Sequence, residues 1–488
     1  MLDPKPGRTP AKPAPPTATV LVPAETHAQN QPMTPARTGS WSACLSIKHA
    51  RPIRKNAGRE LAFAHARLSL PSPSAGQCGD RPRSVPPSGP VSARDRRWTV
   101  VDLFSGAGGM SFGFHAHRNF RVASAVDAQK SKPSRKTLAC NETYARNLGI
   151  SPLDIDLQEI DAKELARAIR KDGHLRTPTI LTACPPCTGF SRTLPKNHKE
   201  DDPRNSLVGR VAEFSAELRP KIVIVENARE LLHGNFALHA KQLRDGLESL
   251  GYSVHAATYR LDRFGLAQRR ERSIITAVAP GIQLKTLDDL WAGSKVNPKA
   301  LTVRRAIWDL PEVAAGVMHS SDQAHGSSRV TREVLDRIKA IPHDGGSWIS
   351  LFNHPDTAEL STPAMRRSVE TGNTNHFSDV YGRMAWDSPA PVIKRECSHV
   401  GNGRYTHPEQ DRLCTVRELA TLQGFPNDYQ FTDSSRQNAY RHVGDAVPPL
   451  ISHQLAWLSS WMLTGRKPTP SDFILENTTL KPGDISMV

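Results

Sequence analysis

Long apolar runs are the first thing this sequence lacks. No stretch approaches the ~18 consecutive apolar residues of a membrane span, and the first residues lack the apolar core of a secretory signal. A soluble, cytoplasmic protein with no membrane partner is the expectation. Cysteine is scarce as well: seven in 488 residues, an odd number without framework spacing. That excludes a disulfide scaffold and fits a reducing compartment. Aromatic residues make up 6% and apolar residues 38%, so part of the chain is expected to stay outside any packed core. The length still suffices for two or three domains.

What the chain has in surplus is positive charge, +16 overall, and it is unevenly placed. Residues 1–97 hold 15 Lys/Arg against 5 Asp/Glu and 16 of the 39 prolines, which leaves only +6 for the other 391 residues. Segments such as Pro13-Ala14-Pro15-Pro16 and Arg81-Pro82-Arg83 build neither a helix nor a central strand. Residues 1–97 therefore read as a disordered basic, Pro-rich tail, either an arm on phosphates or, weighed ahead of that, a dispensable extension. For the body of the chain, charge gives only mild support to a polyanionic partner.

Order begins at Trp98. The run 98–104 reads as a buried strand, and Ser105-Gly106-Ala107-Gly108-Gly109 follows as a turn into a helix, the arrangement that cradles a nucleoside. Ser111 stands where a third glycine would complete G-x-G-x-x-G, and no Lys-Ser/Thr pair follows as a P-loop requires. Alone, such a loop is as readily an ordinary turn. The strand 121–126 ends in Asp127, about 20 residues past the glycines, where an acid accepts hydrogen bonds from ribose hydroxyls.

Helical spacing covers 137–147, 161–171, 207–218 and 237–250. Strands are predicted at 178–183 and 221–225, the end of another at 154–157, and a hairpin at 253–261 and 273–279. This alternation predicts an α/β, doubly wound sheet. After about residue 280 the pattern breaks into Gly, Pro, His and Ser clusters, a smaller loop-rich lobe. Helices return at 415–423 and 450–463, and 466–488 read as a polar tail.

The strand at 178–183 runs out into Cys184-Pro185-Pro186-Cys187. The two prolines remove donors and fix the backbone, so Cys187 sits on a rigid turn beyond a strand end, where open α/β sheets place their chemistry. Cys187 is thus a candidate nucleophile. Read as C-x-x-C, the same four residues lack a thioredoxin-like context and two further metal ligands. No metal site is expected, and Cys184 reads as packing. Glu226 ends the strand 221–225; a lone glutamate there is more often a cap. Arg270 and Arg272 fall on one face by the strand period and are placed to hold an anion jointly, although three arginines in four residues usually mark a solvated turn.

Six blocks then decide between these readings: Asp-Leu-Phe-Ser-Gly-Ala-Gly-Gly at 102–109, Pro-Pro-Cys-x-x-Phe-Ser at 185–191, Glu-Asn-Ala at 226–228, Gln-Arg-Arg-Glu-Arg at 268–272, Arg-Glu-Leu-Ala-x-Leu-Gln-Gly-Phe-Pro at 417–426 and Gly-Asp-Ala-Val-Pro-Pro at 444–449. In this order they resemble the DNA cytosine-5 methyltransferases, over roughly 99–460. The resemblance implies an α/β class I methyltransferase fold, a Rossmann-like doubly wound sheet with a smaller target-recognition domain. Residues 98–300 would form the cofactor-binding catalytic domain, 301–414 the target-recognition domain, and 415–465 a segment returning to the first. It implies S-adenosyl-L-methionine as cofactor and double-stranded DNA as partner. By carry-over, Phe104, Gly106 and Gly108 would line the cofactor pocket and Asp127 would hold its ribose. Asp156, with Asp154 as rival, would approach the adenine, Pro186 would abut the methionine moiety, and Asp445 and Val447 would border the same pocket. Cys187 would add to C6 of a flipped-out cytosine, Glu226 would serve N3, and Arg270 and Arg272 would position the base. The cofactor's charge and the two arginines are expected to depress the Cys187 pKa.

Two departures from the family pattern matter. Ala228 stands where valine is commoner, and Asp445 replaces an asparagine; a carboxylate cannot donate as an amide does unless protonated. A transfer-RNA enzyme of the same fold is the alternative, disfavoured by Gly424-Phe425-Pro426 in the fifth block and by the long 281–411 lobe. A catalytically dead DNA-binding homologue is disfavoured by intact Cys187, Glu226 and Arg272. The expectation is a monomeric bacterial enzyme of restriction–modification or phage defence, with a cognate endonuclease or defence proteins as partners.

Overall fold

The computed structural model describes residues 96–130, 139–187, 201–235, 237–374, 377–431 and 435–488. The reading of 1–97 as a tail, the helix start at 137 and the segment Gly189–Ser191 lie wholly or largely outside the described residues.

A strand that alternates apolar residues to both sides must be covered on both faces, and β1 (Trp98–Leu103) meets that condition. Val100 and Val101 are both fully buried, yet they belong to different hydrophobic clusters, because neighbouring side chains point to opposite faces. After β1 come α1 (Gly109–Ala116), β2 (Phe120–Val126), α2 (Cys140–Leu148), α3 (Ala162–Asp172), β3 (Ile180–Ala183), α4 (Leu207–Leu218) and β4 (Ile222–Ala228). The one-turn α5 (Glu230–His233), α6 (Leu238–Ser249), β5 (Ser253–Arg260) and β6 (Glu271–Val278) complete this half. The six strands form one sheet in the order β2-β1-β3-β4-β6-β5; β1 to β4 run parallel, and β6 pairs antiparallel with both β4 and β5. The predicted doubly wound sheet and hairpin are both present.

On one face pack α3, α4 and α6, through Leu165, Ile169, Val211, Phe214 and Leu243. Asp161 starts α3 by accepting from the amides of Lys163 (2.9 Å) and Glu164 (3.1 Å), which satisfies two donors that a helix start leaves free. The other face is covered by α1 and by α14 (Pro449–Thr464), more than 300 residues later. These two helices touch backbone to backbone: a Cβ on Gly113 would lie 2.1 Å from the His453 amide nitrogen. Ser452 Oγ accepts from Gly113 N (3.0 Å) and donates to Gly109 O (2.9 Å), so the last helix seats the glycine turn.

Between the halves come α7 (Leu287–Trp291), β7 (Ser294–Val296), α8 (Val303–Ile307), α9 (Arg332–Lys339), α10 (Pro355–Ala358) and α11 (Pro363–Glu370), then α12 (Val416–Leu422) and α13 (Arg436–Asp445). Thr415 and Glu418 close α12 with a reciprocal capping box.

Three expectations are corrected. Residues 154–157 are not a strand: Leu153 alone bridges to Val126, and the charged Asp154 and Asp156 leave the sheet edge. The segment 415–465 does not return as a unit, since α12 and α13 share a core with Ile307, Met384, Trp386 and Ile393 of the middle region, and only from Val447 onward does the chain rejoin the sheet. Nor are residues 466–488 a tail. Phe473, Leu475 and Leu480 are buried in the sheet's own cluster, the Phe473 ring lies tilted against that of Trp291 at 5.0 Å, and β8 (Ile485–Met487) pairs with β7. The apolar residues there are sparse, but Phe473 lies beside Trp291 of α7 and Leu480 against Gly265 of the β5–β6 turn.

Candidate active site

The site is built where strands end. β1 leads into Phe104, held at φ 57°, a conformation that costs a bulky side chain about 1–3 kcal/mol. Two bonds fix it, from Cys184 N to Leu103 O (3.2 Å) and from Ser105 N to Val126 O (3.1 Å). Gly106 (φ 52°) and Gly108 (φ 94°) make the turn that only glycine adopts without strain. Beneath the loop lies a fully buried carboxylate that the sequence reading passed over. Asp102 accepts from Ser111 Oγ (2.5 Å) and Thr182 Oγ1 (2.7 Å), and Tyr144 OH donates to Ser111 Oγ (2.6 Å). Ser111, where a third glycine was absent, thus ties α1 to β1 and α2, and Asp102 extends the tie to β3. Burial pushes the Asp102 carboxyl up to about 7 against the pull of its two hydroxyl donors.

Asp127 closes the turn. Its Oδ2 accepts from Gly106 N at 2.8 Å and its Oδ1 from Gln129 N at 2.6 Å, while Cys140 Sγ lies 3.5 Å away. Burial raises its pKa despite those donors. Asp156 pairs with Lys130; burial raises its carboxyl, but Lys130, the Gln158 amide and Arg210 together hold it below the usual range, and Asp154 accepts from Gln129 Nε2 at 3.4 Å. Both acids therefore stand beside the segment that follows Asp127.

Three observations fit a nucleoside-bearing cofactor at this turn. A Cβ on Gly106 would meet nothing within 4 Å, Ser105 Oγ is buried without a hydrogen-bond partner, and Asp127 presents acceptors beside both. Val447 packs its backbone against the start of α1, its carbonyl oxygen 2.3 Å from where a Gly109 Cβ would lie.

The Pro185-Pro186 turn is clamped from β4, because Asn227 Nδ2 donates to Pro185 O at 2.9 Å. Cys187 follows, half-buried against the face carrying α3, α4 and α6; Cys184 packs on the opposite face, and both are free thiols. Glu226, one residue before Asn227, lies 3.0 Å from Arg272 Nε, an ion pair whose alignment leaves Glu226 Oε1 without a hydrogen bond. The β4–β6 register explains the pairing, since Ala228 faces Arg272 across the ladder.

The expected joint arginine clamp is corrected. Arg270 precedes β6, so the strand alternation does not govern it. Its guanidinium turns inward, with Nη1 donating to Ile393 O (3.0 Å) and Nη2 to Ala446 O (3.3 Å), and Nε buried without an acceptor. Burial and the neighbouring Arg272 push its pKa down to about 9, which still leaves it cationic at neutral pH. Beside it, buried Gln268 donates to Gln423 Oε1 (2.6 Å) and accepts from Ile393 N (3.1 Å), and Gln423 donates to Ala446 O (2.9 Å). Three of the sequence blocks are thus joined by one buried polar network.

Asp445 pairs with Arg395. Protein surrounds it, yet 35% of its side chain still meets solvent, as on the wall of an open cleft. Desolvation pushes its carboxyl up to about 6, against Arg395 and Arg270. The expected depression of the Cys187 pKa is likewise corrected for the protein's own residues. Burial pushes the thiol up; Arg272 and Arg270 pull it down, while Asp445 and Glu226 oppose them.

A doubly wound sheet with a glycine turn after its first strand and a thiol, a carboxylate and a guanidinium at the next strand ends defines an α/β methyltransferase. Residues 98–457 match the family described as C-5 cytosine-specific DNA methylase. The type II methylase M.HgiDII of Herpetosiphon aurantiacus is 30% identical over 361 residues, covering 73% of this chain and 93% of that protein. The type II methyltransferase M1.BsuMI of Bacillus subtilis (strain 168) is 27% identical over 375 residues, covering 73% and 79%. A solved E. coli protein encoded within a prophage shares the fold, with a TM-score of 0.53 at 18% identity, covering 76% of this chain and 100% of that one. The chain belongs to the C-5 cytosine-specific DNA methylase family and is a DNA (cytosine-5)-methyltransferase. Among the described residues no helix is long and apolar enough to cross a membrane.

Proposed function

We propose that the chain methylates C5 of a flipped-out cytosine in double-stranded DNA through a covalent Cys187–C6 adduct, as a type II modification enzyme. The observation that carries this reading is the convergence of Cys187 and the Glu226–Arg272 pair at adjoining strand ends beside the glycine turn. The two relatives named as type II enzymes support the modification class; a role in restriction–modification or phage defence, beside a cognate endonuclease, is part of the proposal. S-adenosyl-L-methionine, when bound, supplies an electrophilic methyl carbon. Phe104, Gly106, Gly108 and Asp127 would hold its nucleoside, Asp156 or Asp154 its adenine, and Pro186, Asp445 and Val447 the rest.

The chain's own residues then do the following. Cys187, as thiolate, adds its electron pair to C6, and charge moves through the ring toward N3 and O2. Glu226, in its protonated form, delivers its proton to N3, and Arg272 lies next to that developing charge. After the methyl group is on C5, the C5 proton passes to solvent, the double bond re-forms with expulsion of the thiolate, and the N3 proton returns to Glu226. Arg270 acts as a positioning residue, fixing the start of β6, which carries Arg272, against the 444–446 backbone. Residues 301–414 supply the base-edge contacts.

The test is covalent trapping. With S-adenosyl-L-methionine and duplex DNA containing 5-fluorocytosine, the full chain should form an adduct that survives denaturation, and Cys187→Ser should form none. An adduct absent from the wild type, or formed only on RNA, would overturn the proposal. Bisulfite sequencing of DNA from cells expressing the chain would give the target.

A further inference from the structure

Outside the catalytic cleft the molecule carries a second large concavity. It lies between the β5–β6 turn, β7, α8 and the C-terminal segment near Lys481, encloses about 1980 Å³, and has none of Cys187, Glu226 or Arg272 in its lining. That is beyond the roughly 300–1,000 Å³ of a small-molecule site. Its lining holds eight Lys/Arg against four Asp. Four of the arginines pair with carboxylates. The other four cations, Arg269, Lys295, Lys299 and Lys481, are all exposed and, among the described residues, have no carboxylate partner. At the rim Trp308 is 54% exposed, an unusual state for so large an apolar side chain. It is nevertheless held in place, its ring 5.2 Å from that of Trp386, with the Arg304 guanidinium 5.3 Å from each.

We propose that this groove binds the phosphate backbone of the DNA duplex outside the target base pair. The inference rests on the DNA-methylation reading above. Unpaired cations spread along a groove match a linear polyanion, in which phosphates recur every few ångströms, better than one compact anion. A rigid, exposed indole offers a flat apolar surface to deoxyribose. Position points the same way: Arg269 opens onto the groove while its neighbour Arg270 turns inward, and Arg272 meets Glu226 three residues on. Duplex leaving the catalytic cleft near β6 would therefore reach the groove first at Arg269. These contacts carry no base information; they lengthen the footprint and raise affinity for flanked targets.

The experiment compares the full chain with the Lys295→Glu/Lys299→Glu double variant, both changes on exposed side chains, and separately with Trp308→Ala. Fluorescence anisotropy is measured on fluorescein-labelled duplexes of one and of three helical turns, over a salt series. The double variant should bind the three-turn duplex about 10-fold or more weakly, with a log–log salt slope smaller by about 2, roughly one per lost phosphate contact. Its affinity for the one-turn duplex and its kcat at saturating one-turn substrate should match the wild type. Unchanged affinity for the longer duplex overturns the proposal. So does an equal loss on both duplexes, which would make the groove part of the target cleft, or displacement of DNA by polyglutamate as readily as by unlabelled duplex. Wild-type chain that methylates neither duplex would refute the methylation reading instead, while the binding comparison would still judge the groove.

Discussion

Asp102 carries the glycine loop from below, and its environment gives it a measurable signature. Its carboxyl sits at about 7 in the folded protein against an ordinary 3.8, so between those values the native state holds a proton that the unfolded chain has released. Stability therefore falls as pH rises through that window, by a few kcal/mol in total. Asp102→Asn should flatten the dependence of Tm on pH between about 4 and 7; a slope equal to that of the wild type would show the proton to be elsewhere. Cys187 obeys the opposite concern. Because burial raises its thiol, alkylation by iodoacetamide should be slow at neutral pH and accelerate as pH rises, and Arg272→Leu should shift that rise further to the alkaline side by removing the largest opposing pull. Mass spectrometry of the labelled peptide reads both. Neither behaviour was legible from residue type, since each depends on how much protein lies around the group.

At the scale of elements, the contact between α1 and α14 sets the glycine turn. Gly113→Ala would put a methyl 2.1 Å from the His453 amide, a backbone atom that cannot swing away. The helices must separate, at a cost of about 1–3 kcal/mol. Since Ser452 links Gly109 and Gly113, S-adenosyl-L-methionine affinity should fall along with Tm; isothermal titration and thermal melts would record the two losses together. The strand and helix periods reveal each of these elements. They do not reveal that a helix at 449–464 docks on one at 109–116, because periodicity states which face is apolar and not what covers it. The same limit hid the clamp of Asn227 on Pro185 and the network of Gln268 and Gln423, amides whose worth lies wholly in distant partners.

Across the whole molecule, the C-terminal residues act as a strap. Truncation after Gly465 would remove Phe473, Leu475 and Leu480 from the sheet's cluster and β8 from β7. Loss of even one such buried side chain costs about 2–5 kcal/mol, so the truncated chain should melt far below the full chain or fail to fold; a melt within a few degrees of the full chain would contradict the strap. Their sparse spacing in a polar stretch is why these residues read as a tail: three large buried hydrophobic side chains in twenty-odd residues make no period.

By itself the sequence determined the doubly wound order of elements, the glycine turn with Asp127, and the choice of Cys187, Glu226 and Arg272 as candidate site residues. These follow from local pattern and from six short blocks in a fixed order, both written along the chain. Tertiary structure alone decided the direction of the Cys187 shift, the inward turn of Arg270, the carboxyl of Asp102 and the strap. Each of those depends on desolvation or on contacts between residues far apart in the chain, and burial is a property of the surroundings that residue type and spacing do not carry.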